Sequence, residues 1–254
     1  MNKSKQILFG MTLAMVLNSC HTPYHLSGIE RSRILVDSRY DAQPDARATA
    51  FMAPYKQQVD SVMSPVVGTI DHYMAADKPE SDLSNLLSDI LVWGGKAYGE
   101  QPQLAIYNMG GMRAAFAEGA VTYGDVLDVA PFENKICFLT LTGEKLLELF
   151  RQIANRQGEG VSHGVELVIT PSGQLLSARL HGKSIVPEAQ YRIATLDYLA
   201  QGNDGLLAFK SATNLVSPQE EANNVRFIIM NYFREQAKAG RTVNARKEGR
   251  IVIK

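Results

Sequence analysis

The sequence has little cysteine and no excess of charge of either sign. Its 254 residues include two cysteines, and 26 lysines and arginines balance 26 aspartates and glutamates. A protein held to DNA or RNA by phosphate contacts needs a basic face, so a net charge of zero argues against a nucleic acid polymer as a partner. With 45% hydrophobic and 20% charged residues, the composition is that of a folded chain.

Several motifs that mark catalytic sites are also missing. The five histidines form no H-x-H, H-E-x-x-H or D-x-H pattern, so the sequence shows no ligand set for a metal. It contains no S-x-x-K, which would indicate a covalent nucleophile. It also lacks the glycine-rich patterns of dinucleotide folds and P-loops. Metal and P-loop chemistry are therefore unsupported by these residues.

The first residues have the pattern of a targeting signal. Lys3 and Lys5 precede an apolar run over residues 7–17, which is too short to span a bilayer and is typical of a signal peptide. The run ends in Leu-Asn-Ser-Cys at residues 17–20, which resembles a bacterial lipobox. We therefore expect a lipoprotein signal peptide over residues 1–19, with the lipid on Cys20. An ordinary secretory signal that happens to contain Cys20 is the alternative.

Either kind of signal predicts an exported protein. With a lipid on Cys20, the chain is expected at a bacterial envelope membrane, and His21 gives no strong signal for retention at the inner membrane, so the outer membrane is preferred. Residues 20–43 show little sustained periodicity and are interpreted as a tether. The second cysteine, Cys137, lies in an apolar stretch and is expected in the core.

Residues 44–254 are expected to form one domain that mixes helices and strands. Phe51, Tyr55 and Val59 recur at helical spacing and predict a packed helix. Residues 217–220, Ser-Pro-Gln-Glu, have the pattern of a capping box and predict the start of a C-terminal helix. Hairpin patterns occur without regular βαβ alternation, so the predicted class is α+β, or mixed α/β, with a mixed sheet and packed helices.

A glycine-containing segment after a predicted strand is the first candidate site. It reads Asn-Met-Gly-Gly-Met-Arg over residues 108–113. Gly110 and Gly111 let the backbone approach a ligand closely, and Arg113 offers a fork of donors for phosphate or carboxylate. A plain glycine turn with an exposed arginine is the alternative.

Two further loops carry an aromatic residue followed by a polar one. Phe132 precedes Asn134, and Tyr198 precedes Asp204 in a glycine-flanked turn. Two rings can sandwich a nucleobase, an amide can bind its edge, and a carboxylate can accept hydrogen bonds from ribose hydroxyls. A core aromatic and a polar turn are the alternatives for the two loops taken singly.

The combination and order of these motifs resemble the C-terminal, substrate-recognition domain of the 5'-nucleotidases. The resemblance runs over residues 65–209, and five segments carry it in order. They are Glu80, Leu83, Asn85, Leu86 and Asp89; residues 108–113; residues 123–126 with 131–134; residues 141–143; and residues 198–206.

The resemblance implies a role for each site residue. Phe132 and Tyr198 would stack on the base, Asn134 would contact it, and Asp204 would bind the ribose. Asn108, Gly111 and Arg113 would meet the phosphate, with Gly110 in the same turn. The family has a further phosphate-binding arginine just before its glutamate, whereas residues 77–79 here are Asp-Lys-Pro, which leaves Lys78 as a point charge. Met109 replaces one glycine of the family's turn.

In the resembled family the chemistry belongs to a separate metallophosphoesterase domain with two metals, whose motifs are absent from this sequence. We therefore expect the nucleotide-recognition half of an exported 5'-nucleotidase-type phosphohydrolase system. Under this hypothesis the chain has no catalytic residue and no cofactor, and a partner chain supplies the divalent metal pair. A non-catalytic nucleotide- or nucleoside-binding lipoprotein is the second hypothesis, and an interaction module that kept only the fold is the third.

Overall fold

The computed structural model describes residues 25–254, so the predicted signal peptide and Cys20 lie outside the described residues. The chain divides into two units, Met1–Phe51 and Met52–Lys254. Before the first helix, the described part of the first unit contains one 3-10 turn, Ser38–Tyr40, capped by Asp37. The helices are α1 (Ala46–Met63), α2 (Asp82–Gly94), α3 (Tyr123–Val129), α4 (Gly143–Asn155), α5 (Asp197–Ala200) and α6 (Val225–Lys238).

All the strands in the described chain belong to the second unit, and they form three sheets. The strands are β1 (Val66–Ile70), β2 (Leu104–Tyr107), β3 (Gly119–Thr122), β4 (Ile136–Thr142), β5 (Gly160–Val161), β6 (Val165–Ile169), β7 (Leu175–Leu180), β8 (Lys183–Ser184), β9 (Gln190–Leu196), β10 (Thr213–Val216) and β11 (Ile251–Ile253). Their orders are β10-β4-β9-β2-β5, β11-β6-β7-β8 and β1-β3.

The sheets combine both strand directions. In the five-stranded sheet, β4 runs antiparallel to β9 over its whole length, whereas β2 runs parallel to β9. In the four-stranded sheet, β11 pairs parallel to β6, and β6 forms a hairpin with β7. Helices and mixed sheets together confirm the predicted class.

Local signals in the sequence explain where the helices of the second unit begin. Ser81, Thr122 and Thr142 each accept a hydrogen bond from a backbone N–H in the first turn of α2, α3 and α4. The core packs large side chains such as Phe138 and Phe233, which are fully buried. Buried Cys137 confirms its prediction, and burial raises the pKa of its thiol to about 11.

Two predictions about helices were wrong. The spacing in residues 51–59 does give a helix, α1, but Tyr55 and Val59 are more than half exposed, because a repeat specifies a helix and not what covers its face. The C-terminal helix begins at Val225 and not near 217–220. Asn224 supplies the cap by accepting a hydrogen bond from the Arg226 backbone N–H. The residues directly before 217 form β10, which pairs with β4.

Candidate ligand-binding site

One edge of the five-stranded sheet gathers the candidate residues. Because β2 and β9 are parallel and β4 is antiparallel to both, the ends of β2 and β9 and the start of β4 lie at the same edge. The loops at these three points, with the end of α4, surround a cavity of about 260 Å³. It is lined by Asn108, Gly110, Gly111, Phe132, Asn134, Arg156, Tyr198 and Asp204.

Asp204 accepts hydrogen bonds from two other side chains that line this cavity. Its Oδ2 accepts from Asn108 Nδ2 at 2.7 Å, and its Oδ1 accepts from the Tyr198 hydroxyl at 3.0 Å. The bond to Asp204 raises the pKa of Tyr198, since loss of the phenol proton would break the bond and place two negative charges side by side. The three side chains therefore form one polar cluster on the cavity wall.

Asn108 is buried, and its amide leaves one acceptor unused. Its Oδ1 receives no hydrogen bond from any residue in 25–254. A Cβ atom at residue 111 would lie 2.8 Å from this oxygen, so Gly111 is needed for the turn to close around Asn108.

The two aromatic side chains keep exposed surface at the cavity. Phe132 is 49% exposed and Tyr198 is 38% exposed, and no ring-to-ring contact found within residues 25–254 joins them. Asp197 fixes the two loops together, because its Oδ1 accepts from the backbone N–H groups of Lys135 at 3.0 Å and Tyr198 at 2.8 Å. Both rings thus line one cavity and keep surface that is available to a ligand.

Arg113 is the predicted binding residue that does not line the cavity. Its side chain is exposed, and its NH1 group lies 3.3 Å from the carbonyl oxygen of Gly110. Its backbone N–H donates to Val129 at 2.9 Å, which directs this part of the turn toward α3. The other predicted binding residues come together around the cavity.

Arg156 and Glu159 are site residues that the sequence analysis missed. Arg156 caps the C-terminus of α4, and its Nε donates to Oε1 of Glu159 at 2.6 Å. Glu159 is 1% exposed, and its Oε2 accepts from the Met109 backbone N–H at 2.6 Å. The signal in the sequence is an arginine and a glutamate three positions apart in a turn with glycines at 158 and 160.

The motif at residues 80–89 has a different place in the fold. Asn85 Nδ2 donates to Glu80 Oε1 at 2.7 Å and to the Arg246 carbonyl oxygen at 2.9 Å. Asp89 Oδ2 pairs with Arg250 at 2.7 Å. These residues anchor the chain segment before β11 to α2 and do not line the cavity.

Residues 25–254 contain no group of three or more His, Cys, Asp or Glu side chains that is placed to hold a metal ion. In the same part of the chain, no helix has the length and apolar character required to cross a membrane.

Comparison with protein families identifies the 5'-nucleotidase C-terminal domain over residues 66–211. A cell wall protein of Listeria monocytogenes is 27% identical over 236 residues, which cover 83% of this chain and 30% of that protein. A trifunctional nucleotide phosphoesterase of Bacillus subtilis is 27% identical over 237 residues, which cover 85% of this chain and 16% of that protein. The chain thus spans less than a third of either relative.

The fold is shared with a solved structure. The crystal structure of a 5'-nucleotidase precursor from Thermus thermophilus superimposes with a TM-score of 0.71 at 25% identity. The superposition covers 82% of this chain and 43% of the Thermus chain.

Proposed function

Since this chain belongs to the family of 5'-nucleotidase C-terminal domains, we propose that its cavity binds a nucleotide or a nucleoside. The base lies between Phe132 and Tyr198, Asn134 contacts its edge, and Asp204 accepts from the ribose hydroxyls. One observation carries the proposal: two loops that are distant in the sequence bring these four side chains to a single cavity. The names of the Bacillus and Thermus relatives, a nucleotide phosphoesterase and a 5'-nucleotidase, support the class of ligand.

The chemistry of the lining suits such a ligand. Stacking of a base on an exposed aromatic face contributes favourably to the binding free energy, and this contribution depends little on the identity of the base. The carboxylate oxygens of Asp204 are acceptors, and a ribose offers hydroxyl donors. Apolar faces on one side and acceptors on the other match the two halves of a nucleoside.

We propose further that the chain is the recognition half of an exported 5'-nucleotidase-type phosphohydrolase system. A divalent metal pair catalyses such hydrolysis by polarising the phosphoryl group and by generating a hydroxide nucleophile. The residues described here do not fit that pair, because they contain no group of metal-binding side chains. In this proposal a separate metallophosphoesterase chain holds the metals, and the residues of this chain bind and orient the nucleotide.

The location of the protein is part of the same proposal. A lipid on Cys20 would hold the domain at the envelope membrane, with residues 20–43 as the tether. The outer membrane is preferred to the inner membrane. The Listeria relative is a cell wall protein, which supports a place outside the cytoplasm.

The decisive experiment is a calorimetric titration of adenosine and AMP into the purified full chain, with the Tyr198→Ala variant as a control. Saturable binding that is lost in the variant supports the site. No binding of either ligand by the unaltered chain contradicts it.

In a parallel assay with Mn²⁺ or Zn²⁺, the chain alone is expected to release no phosphate from AMP, and turnover by the pure chain would contradict the assignment of catalysis to a partner.

A non-catalytic nucleoside-binding lipoprotein is the second candidate. The position of Arg113 outside the cavity favours it, because a phosphate in the cavity then loses one of its expected contacts. Binding of adenosine much more tightly than AMP would support this candidate over the hydrolase system.

A further inference from the structure

We propose that Arg156 binds the phosphate of a nucleotide in this cavity, a role that rests on the nucleotide binding proposed above. Neither the resemblance nor the comparisons assign any function to this residue. The arginine that the family has just before its glutamate is missing at residues 77–79, and Arg113 lies outside the cavity. Arg156 is the cationic side chain that lines the cavity in the described part of the chain.

The lysine that contacts the backbone of Arg156 is engaged elsewhere. Lys78 does not line the cavity, and its Nζ donates to the carbonyl oxygen of Arg156. The same Nζ lies 3.9 Å from Oε1 of Glu159. Lys78 therefore helps to compensate the buried Glu159, and it leaves the contact with the ligand to Arg156.

The guanidinium of Arg156 has donors to spare. Its Nε is bound to Glu159, but neither of its terminal amino groups makes a hydrogen bond to a residue within 25–254. The NH2 group lies 3.9 Å from Oδ2 of Asp204, which is beyond hydrogen-bond distance. Asp204 already accepts from Asn108 and Tyr198, so it does not require Arg156 as a donor. A pair of free N–H groups on one planar cation is the arrangement that binds phosphate through two parallel hydrogen bonds.

Glu159 holds this guanidinium in place. It is buried, and its second oxygen is fixed by the Met109 backbone N–H, so it ties Arg156 to the glycine turn of the cavity. The turn between Arg156 and Glu159 packs closely on the neighbouring segment, because a Cβ atom at residue 158 would lie 2.3 Å from the Pro79 carbonyl oxygen. The side chain is thus preorganised and loses little freedom when a ligand binds.

The position of Arg156 also limits which phosphate it can meet. The residue lies beside Asp204, the proposed ribose acceptor, so the phosphate it binds is attached to the sugar. A phosphate on C5' and one on C3' share this chemistry, and 5'-AMP and 3'-AMP distinguish the two.

The test measures the affinities of adenosine, 5'-AMP and 3'-AMP for the full chain and three variants. Arg156→Gln removes the charge and the fork, and Arg156→Lys keeps the charge alone. Arg151→Gln is the matched control, since Arg151 is exposed on the same helix and does not line the cavity. Arg156→Gln is expected to lower the affinity for at least one AMP isomer by about tenfold or more, because charge-assisted hydrogen bonds are lost. The affinity for adenosine is expected to change less than about twofold.

The adenosine measurement separates a lost contact from a damaged fold. Arg156→Lys is expected to recover part of the lost AMP affinity, and Arg151→Gln is expected to change none of the affinities. Equal losses for adenosine and both AMP isomers in Arg156→Gln, or no loss for either isomer, would overturn the role of Arg156. Absence of adenosine and AMP binding in the unaltered chain is a different result, and it would overturn the proposed function itself.

Discussion

Asn108 donates a hydrogen bond of 2.7 Å to Asp204, although the two residues are 96 positions apart in the sequence. The bond joins the loop after β2 to the loop after β9, and these two strands are parallel neighbours in the five-stranded sheet. A polar contact at this sheet edge therefore depends on the correct pairing of two distant strands. It links the fold directly to the geometry of the candidate site.

Replacement of Asp204 by Asn is expected to weaken adenosine binding by about tenfold or more. The change keeps the shape of the side chain but removes the charge that strengthens hydrogen bonds from ribose hydroxyls. Calorimetric titration measures the effect, and Asp128→Asn is the matched control because Asp128 is exposed on α3 and does not line the cavity. Unchanged affinity in the Asp204 variant would show that the ribose is bound elsewhere.

Phe132→Ala and Tyr198→Ala are each expected to lower adenosine affinity by about ten- to a hundredfold. Stacking of a base on an aromatic side chain contributes about 1–3 kcal/mol, and truncation removes that contact. Tyr73→Ala controls for loss of an exposed aromatic residue away from the cavity, since Tyr73 is 64% exposed. If the Tyr73 variant loses as much affinity as the other two, stacking between Phe132 and Tyr198 is not the cause.

Removal of the Asp204 charge is expected to lower the pKa of Tyr198 toward its ordinary value of 10.0. In the unaltered chain the hydrogen bond to Asp204 favours the protonated phenol, so Tyr198 stays neutral to a higher pH. Tyrosine ring-carbon NMR signals can be followed through a pH titration of the unaltered chain and Asp204→Asn, with Tyr198→Phe to assign the signal. Identical titrations in both proteins would rule out the bond.

Gly158→Ala is expected to destabilise the protein by about 2 kcal/mol or more. The new Cβ would meet the Pro79 carbonyl oxygen, and residue 158 has a φ of 108°, which disfavours any side chain. Gly182→Ala is the control, because Gly182 has a φ of 73° but open space around its Cβ position. Chemical denaturation should show a smaller loss for the Gly182 variant, and equal losses would mean that the close contact is relieved at no cost.

Cys20→Ala is expected to abolish incorporation of labelled fatty acid when the full chain is produced in a bacterial host. The expectation follows from the signal-like pattern before Cys20, which presents its thiol for acylation. Cys137→Ala should leave incorporation unchanged, since Cys137 is buried and its thiol pKa is raised to about 11. Labelling that persists in the Cys20 variant would favour the ordinary secretory signal.

The mixture of helices and strands and the site loops could be predicted because their signals are local. Thr142 marks the start of α4, and glycine turns with nearby aromatic or polar residues mark the loops at Asn108, Phe132 and Asp204. Local patterns specify such elements without knowledge of the rest of the chain. The residues of three loops then converge because the strands beside them pair, and the sequence order alone does not show that convergence.

Arg156 and the start of α6 show where local signals fail. Arg156 belongs to the site through a buried partner, Glu159, whose other contact is the backbone of residue 109. A good capping pattern at residues 217–220 was overridden because the preceding segment pairs with β4 as β10, so the helix starts at Val225. In both cases a contact between distant parts of the chain decides the outcome.

The parallel pairing of β11 with β6 has a consequence for the solubility of shortened forms. Ile251, Val252 and Ile253 align with Leu167, Val168 and Ile169. Without β11, one side of β6 would present unpaired backbone groups next to apolar side chains, which is a template for association with other strands. A fragment limited to residues 66–211 would contain every residue proposed to bind the ligand and yet would tend to aggregate through this uncovered strand.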